Sequence, residues 1–175
     1  LRDLRSQEAV PALIKKLNDW RIDIQVRAVE ALGDIGDKRA IQPLINLLGN
    51  QSDRIGQAVI RALAQIGNDV GEPVIELLRS DTDNREVLIR AADILGKLGD
   101  ERAVNVLVES LAYFAFDEDV QQHVKSALIN IGTDAVQQLC QYHFLAENFL
   151  PSQHVAHVLG EIGDNRAADT LINAM

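Results

Sequence analysis

Ala31-Leu32-Gly33-Asp34-Ile35-Gly36-Asp37 decides the fold, because its apolar-glycine step returns at Ile66-Gly67, Leu98-Gly99, Ile131-Gly132 and Ile162-Gly163. The glycines stand 31, 32, 33 and 31 residues apart. A fixed period in this range marks a repeat architecture, in which each unit buries its apolar face against its neighbours. A plain helical bundle has no need of one.

Upstream of Gly36, residues Ile24, Ala28, Ala31, Leu32 and Ile35 recur at helical spacing and share one face. Gly36 supplies the left-handed residue that ends that helix. Asp37, and at the later steps Asn68, Asp100, Thr133 and Asp164, can cap the next one. That next helix carries the column Leu13, Leu44, Val74, Leu107, Leu139 and Leu171, flanked by Ile14, Ile45, Ile75, Val108, Cys140 and Ile172. The unit is therefore two short antiparallel helices. Eleven are expected: Ser6–Leu17, Asp23–Ile35, Ala40–Leu48, Asp53–Ile66, Glu72–Arg79, Arg85–Leu98, Glu101–Tyr113, Asp119–Ile131, Asp134–Ala146, Pro151–Ile162 and Asn165–Ala174. Leu1 to Arg5 align with Leu32 to Gly36 and are read as the tail of an earlier helix.

Composition agrees with a packed helical array. Hydrophobic residues make up 47% and charged residues 25% of the 175-residue chain, a globular balance. The net charge of −9 disfavours nucleic acid or an anionic membrane as the main partner, since both call for clustered Lys and Arg. Cys140 is the single cysteine, which excludes an intrachain disulfide and suits a reducing, cytoplasmic setting. No apolar run reaches membrane-spanning length.

Three stretches carry a family resemblance: Leu-Gly-Asp-Ile-Gly-Asp-Lys-Arg-Ala over 32–40, Leu-Gly-Lys-Leu-Gly-Asp-Glu-Arg-Ala over 95–103 and Leu-Gly-Glu-Ile-Gly-Asp-Asn-Arg-Ala over 159–167. They resemble HEAT-like repeats of the phycobilisome-lyase type, and the resemblance runs through essentially the whole chain. It implies an all-α, right-handed α-solenoid of about five two-helix HEAT-like repeats of 31–33 residues, with a partial repeat at each end. Residues 1–175 form one array, expected to be a piece of a longer chain. The resemblance says less about activity, because the family includes chromophore lyase subunits, metal hydroxylases and plain adaptors.

One strip of the second helices is polar. Its columns read Asp23, Arg27, Glu30 and Asp34; then Arg54, Ala58, Arg61 and Gln65; Glu86, Arg90, Asp93 and Lys97; Asp119, His123, Ser126 and Asn130; Leu150, His154, His157 and Glu161. By resemblance to HEAT arrays this strip lines the concave surface. Arg27, Glu30, Arg61, Arg90, Asp93, His123, His154 and His157 are the candidate partner-binding residues. Arginine offers bidentate contacts to carboxylates, and histidine adds sensitivity to pH near neutrality. Gly33, Gly96 and Gly160 share another column and suggest a close helix approach.

The second half holds all four histidines, and every aromatic except Trp20 lies in 113–149. His154 and His157, three apart, are spaced to share a metal. Against this, the HEAT-type deoxyhypusine hydroxylases carry a His-Glu pair at a position that here reads Val26-Arg27, Gln57-Ala58, Ile89-Arg90, Gln122-His123 and Gln153-His154. His143 replaces a core leucine. It is read either as a buried, hydrogen-bonded histidine or as a register shift that turns Phe144 inward. The segment Tyr113-Phe114-Ala115-Phe116 sits in a lengthened loop, as partner anchors or as filling.

The expected function is a non-catalytic scaffold that binds a protein on the second-helix strip and self-associates through open solenoid ends. Neither nucleic acid nor membrane is expected as a partner. No catalytic residue, cofactor or metal is expected. The alternatives are a bilin-lyase-type chromophore-handling subunit and, behind it, a metal-dependent hydroxylase.

Overall fold

The computed structural model describes residues 2–80, 83–145, 149–168 and 172; within these, the side chains of 2–6, 142–145 and 149–153 are left aside. The described residues form ten α-helices and no strand. First helices α1 (Arg2–Lys16), α3 (Ile41–Ile45), α5 (Gly71–Ser80), α7 (Val104–Tyr113) and α9 (Val136–Leu145) alternate with second helices. The latter are α2 (Ile22–Ile35), α4 (Asp53–Ile66), α6 (Arg85–Leu98), α8 (Glu118–Ile131) and α10 (Phe149–Ile162). The expected helix over 165–174 begins as a 3-10 turn, Asn165–Ala167. Leu171 lies outside the described residues, and Ile172 is exposed.

Each second helix ends on its glycine with positive φ. Gly99 is left-handed, at φ 63° and ψ 32°, and its N–H returns to the carbonyls of Leu95 and Gly96. A β-branched residue resists that conformation. Gly67 departs differently, at φ 94° and ψ −153°, a region that essentially only glycine visits. The difference decides the caps. After the left-handed glycines, the carboxylates of Asp37, Asp100 and Asp164 accept from the N–H of Arg39, Arg102 and Arg166, as expected. After Gly67 and Gly132, Asn68 and Thr133 already belong to the 3-10 turn and make no cap.

Residues 2–5 are not the tail of a separate helix: α1 runs unbroken from Arg2 to Lys16. Arg5 stands where the other copies have their glycine, so nothing interrupts the helix there.

The core is one continuous cluster running the length of the array. Leu44, Val74, Leu107 and Leu139 of the first-helix column are fully buried, and Leu32, Leu63, Leu95, Leu128 and Leu159 meet them from the second helices. A Cβ on Gly33 would lie 2.7 Å from the Cα of Ala62, and one on Gly96 would lie 2.7 Å from the Cα of Ala127. These two contacts pull α2 onto α4 and α6 onto α8 more closely than α4 onto α6, where Ala64 replaces the glycine. The close approach expected for that column is present at Gly33 and Gly96; a Cβ on Gly160 would meet nothing within 4 Å among the described residues. Among the described residues, second helices pack on one another more extensively than first helices do.

Candidate protein-docking strip

The second-helix strip is carried by helices whose opposite faces bury the core leucines. Most of its polar side chains reach solvent. Arg27, Glu30, Arg61 and His157 are exposed, while Asp93, His123 and His154 are half-buried.

Two pairs cross from one repeat to the next. Arg61 Nη2 lies 3.7 Å from Glu30 Oε1, joining α2 to α4. His123 Nδ1 lies 2.7 Å from Asp93 Oδ1, joining α6 to α8, with the carboxylate as acceptor. Consecutive copies thus set their columns side by side. An exposed pair such as Glu30–Arg61 is worth little to stability, about 0–1 kcal/mol, and remains available to a partner. His154 titrates below the usual histidine range: burial disfavours its charged form, and the charges of Lys125 and His157 add to the effect.

Arg90 corrects the sequence reading. It does not line the strip as a solvated cation, because its side chain is only 6% exposed. Nη1 donates to the carbonyl oxygens of Leu48 and Asn50, each at 2.6 Å, and Nη2 lies 3.2 Å from Glu86 Oε2. The reason is a pair of substitutions in the neighbouring copy. In the first copy Gln25 donates to the carbonyl of Leu17 at 2.9 Å, closing the turn after the first helix. One repeat later Gly56 occupies the Gln25 position and Ala58 the Arg27 position. The glutamine that serves this turn in the first copy is thus missing, and the side-chain donor to the Leu48 carbonyl is Arg90. A Cβ on Gly56 would run into the guanidinium, so glycine makes the room that Arg90 fills. Buried carbonyls need donors, and the guanidinium supplies them from the next repeat.

A second recurrent device was missed as an inter-repeat contact. Asp37-Lys38-Arg39, Asp100-Glu101-Arg102 and Asp164-Asn165-Arg166 each fold the arginine back on the aspartate. Arg39 also donates to the carbonyl of Gln7 at 2.9 Å, Arg166 to that of Thr133 at 2.8 Å, and Arg102 reaches Glu72 at 3.3 Å. Side-chain hydrogen bonds from the arginines, then the backbone N–H bonds, hold the carboxyls of Asp37 and Asp164 down to about 2. The visible signal was the Asp-x-Arg spacing itself, present after the left-handed glycines Gly36 and Gly99 and after Gly163.

Among the described residues no three His, Cys, Asp or Glu side chains are grouped to hold a metal. No described helix is long and apolar enough to cross a membrane. Cys140 is half-buried in the core column. The His143 and Phe144 side chains, and that of Leu150, lie outside the described residues.

The family profile of HEAT repeats matches residues 10–85 and 57–113, together more than half of the chain. Among curated proteins, the bilin biosynthesis protein PecE of Mastigocladus laminosus is 38% identical over 77 residues, covering 43% of this chain and 29% of PecE. PecE of Nostoc sp. is 39% identical over 74 residues, 42% of this chain and 29% of that protein. A HEAT repeat-containing taxis protein of Halobacterium salinarum is 30% identical over 141 residues, 74% of this chain and 34% of the relative. The chain therefore spans about a third of the length of these relatives. A solved engineered protein superposes over 94% of this chain and 86% of its own at 21% identity, with a TM-score of 0.49. The PecE similarity agrees with the phycobilisome-lyase-type resemblance of the glycine motifs. With the repeat period, the paired helices and the profile match all in agreement, the chain belongs to the HEAT-repeat family.

Proposed function

We propose that the chain is a non-catalytic scaffold that docks a protein segment along the second-helix strip. The observation that carries this reading is the pairing of Glu30 with Arg61 and of Asp93 with His123 across repeats. Such pairs make a laterally continuous polar surface. With Arg90 withdrawn, the cations left to a partner are Arg27, Arg54 and Arg61 at one end and Lys97 further along. They alternate with Asp23, Glu30 and Asp34, so the fitting partner is a mixed-charge extended or helical segment. His154 and His157 extend the same surface at the far end. A reducing, cytoplasmic setting suits the single cysteine. The test is site-specific photo-crosslinking in native lysate. A crosslinker at position 61 should capture a protein that one at Glu76, on the opposite first-helix side, does not. Capture only from position 76 would reverse the assignment.

A second reading rests on the similarity to PecE, named as a bilin biosynthesis protein. In it, the chain serves as a chromophore-handling subunit. Co-expression with a phycobiliprotein and bilin, followed by visible absorbance of the purified proteins, separates this from the scaffold reading.

A further inference from the structure

The rim of the α7–α8 loop carries apolar surface that the fold does not use. Phe116 is 94% exposed and Tyr113 61% exposed, while Phe114 between them packs on the core. Filling the lengthened loop takes only Phe114. Burying either exposed ring would gain about 1.5–3 kcal/mol, so leaving both in water needs another reason.

The backbone that carries the rings is held, as is the Tyr113 hydroxyl. The N–H of Asp117 donates to the carbonyl of Phe114 at 3.1 Å, closing a turn around Phe116. Gln121 donates to the carbonyl of Ala115, and the Asp117 carboxylate caps α8 by accepting from Val120 at 3.1 Å. Arg85 Nε, from the start of α6, donates to Asp117 at 2.7 Å, and the Tyr113 hydroxyl donates to Asp83. The loop is thus tied to its own helix and to the neighbouring repeat. An anchor already fixed in place loses little entropy on binding.

The surroundings state the sign of what would bind. Over 83–86 and 113–119 stand five carboxylates, Asp83, Glu86, Asp117, Glu118 and Asp119; the cations that meet them are Arg85 and, at Glu86, Arg90. Arg85 is already spent on Asp117 and Asp119. The Asp119 side chain is 75% exposed. Helix N-termini favour acidic residues, which explains their presence at α6 and α8 but not the two exposed rings beside them.

The geometry points to this rim, which meets the second-helix strip at Glu86 and Asp119, as a docking site for a basic, apolar protein segment. Lysine and arginine fit both features at once. Their aliphatic stems pack on Phe116 and Tyr113, their charges meet the carboxylates, and a guanidinium can stack on either ring. An anionic membrane would accept the rings but would be repelled by the carboxylates.

The test uses the whole chain and a fluorescein-labelled peptide alternating Lys with Leu. Phe116→Ser leaves the net charge unchanged and removes a ring that is almost wholly in solvent, so thermal unfolding should not move. The peptide should bind the unaltered chain, and Phe116→Ser should weaken it tenfold or more, as expected for an aromatic anchor. A Lys–Ser peptide should bind more weakly than Lys–Leu, and a Glu–Leu peptide should not bind. Equal affinity of the unaltered and Phe116→Ser chains for Lys–Leu would overturn the proposal. So would Phe116-dependent binding to phosphatidylserine vesicles without peptide binding.

Discussion

Arg90 Nη1 sits 2.6 Å from the carbonyl oxygen of Leu48, reaching back from α6 to the turn that closes the preceding repeat. The contact replaces, from outside, a hydrogen bond that Gln25 makes within the first copy to Leu17. An arginine on the polar strip is thereby a structural donor at the seam where second helices pack less closely.

Arg90→Ala should therefore destabilise the chain, in contrast to a surface arginine. It leaves the buried carbonyl of Leu48 without its donor and opens space beside Gly56. Leaving one such group unsatisfied costs about 1–3 kcal/mol. Arg61→Ala, at an exposed pair, should cost less than about 1 kcal/mol. Urea unfolding of both variants checks this; equal midpoints would mean that Arg90 is not a seam donor.

The glycine column makes a graded expectation. Gly96→Val places a Cβ 2.7 Å from the Ala127 backbone, which cannot yield as a flexible side chain would. It should cost at least about 1–3 kcal/mol from overpacking. Gly160→Ala meets nothing within 4 Å among the described residues and should be neutral or stabilising by up to about 1 kcal/mol. Leu107→Ala, in the fully buried column, should cost about 2–5 kcal/mol. Melting temperatures should rank Gly160→Ala highest, Gly96→Val next and Leu107→Ala lowest.

The Asp-x-Arg turns set an acid sensitivity. Asp37 and Asp164 titrate at about 2 in the folded chain, below the ordinary aspartate value of 3.8. A depressed folded pKa means that the unfolded chain binds the proton first. Their contribution is complete above the ordinary aspartate value and fades as pH falls from there toward 2. Asp37→Asn with Asp164→Asn should flatten the loss of melting temperature between pH 4 and pH 2 relative to the unaltered chain. An unchanged slope would show that the turns are not titrating as a unit.

The period, the helix pairs and the buried columns were legible because glycine and leucine positions report directly on backbone and core. Asp53–Ile66 and Arg85–Leu98 begin and end where the pattern puts them. Most strip residues were also legible, since helical spacing alone separates Arg27, Glu30 and Arg61 from the core. Arg90 was not, because its burial depends on what another helix lacks. The signal was Gly56 standing where Gln25 and Gln121 stand in other copies, and it has meaning only once the Leu48 carbonyl is seen to need a donor. The continuous start of α1 was missed for a related reason: aligning Leu1 to Arg5 with a helix end gave no weight to Arg5 in place of glycine.

The scaffold account is tested most directly by the affinity of a captured partner for the double variant Arg27→Glu, Arg61→Glu. Both side chains are exposed strip cations outside the core, so the melting temperature should stay within a few degrees of the unaltered chain. Affinity, read by isothermal titration calorimetry, should fall at least tenfold, with a weaker effect at high salt because the lost contacts are screened charges. Unchanged affinity in a folded double variant would contradict docking on the second-helix strip.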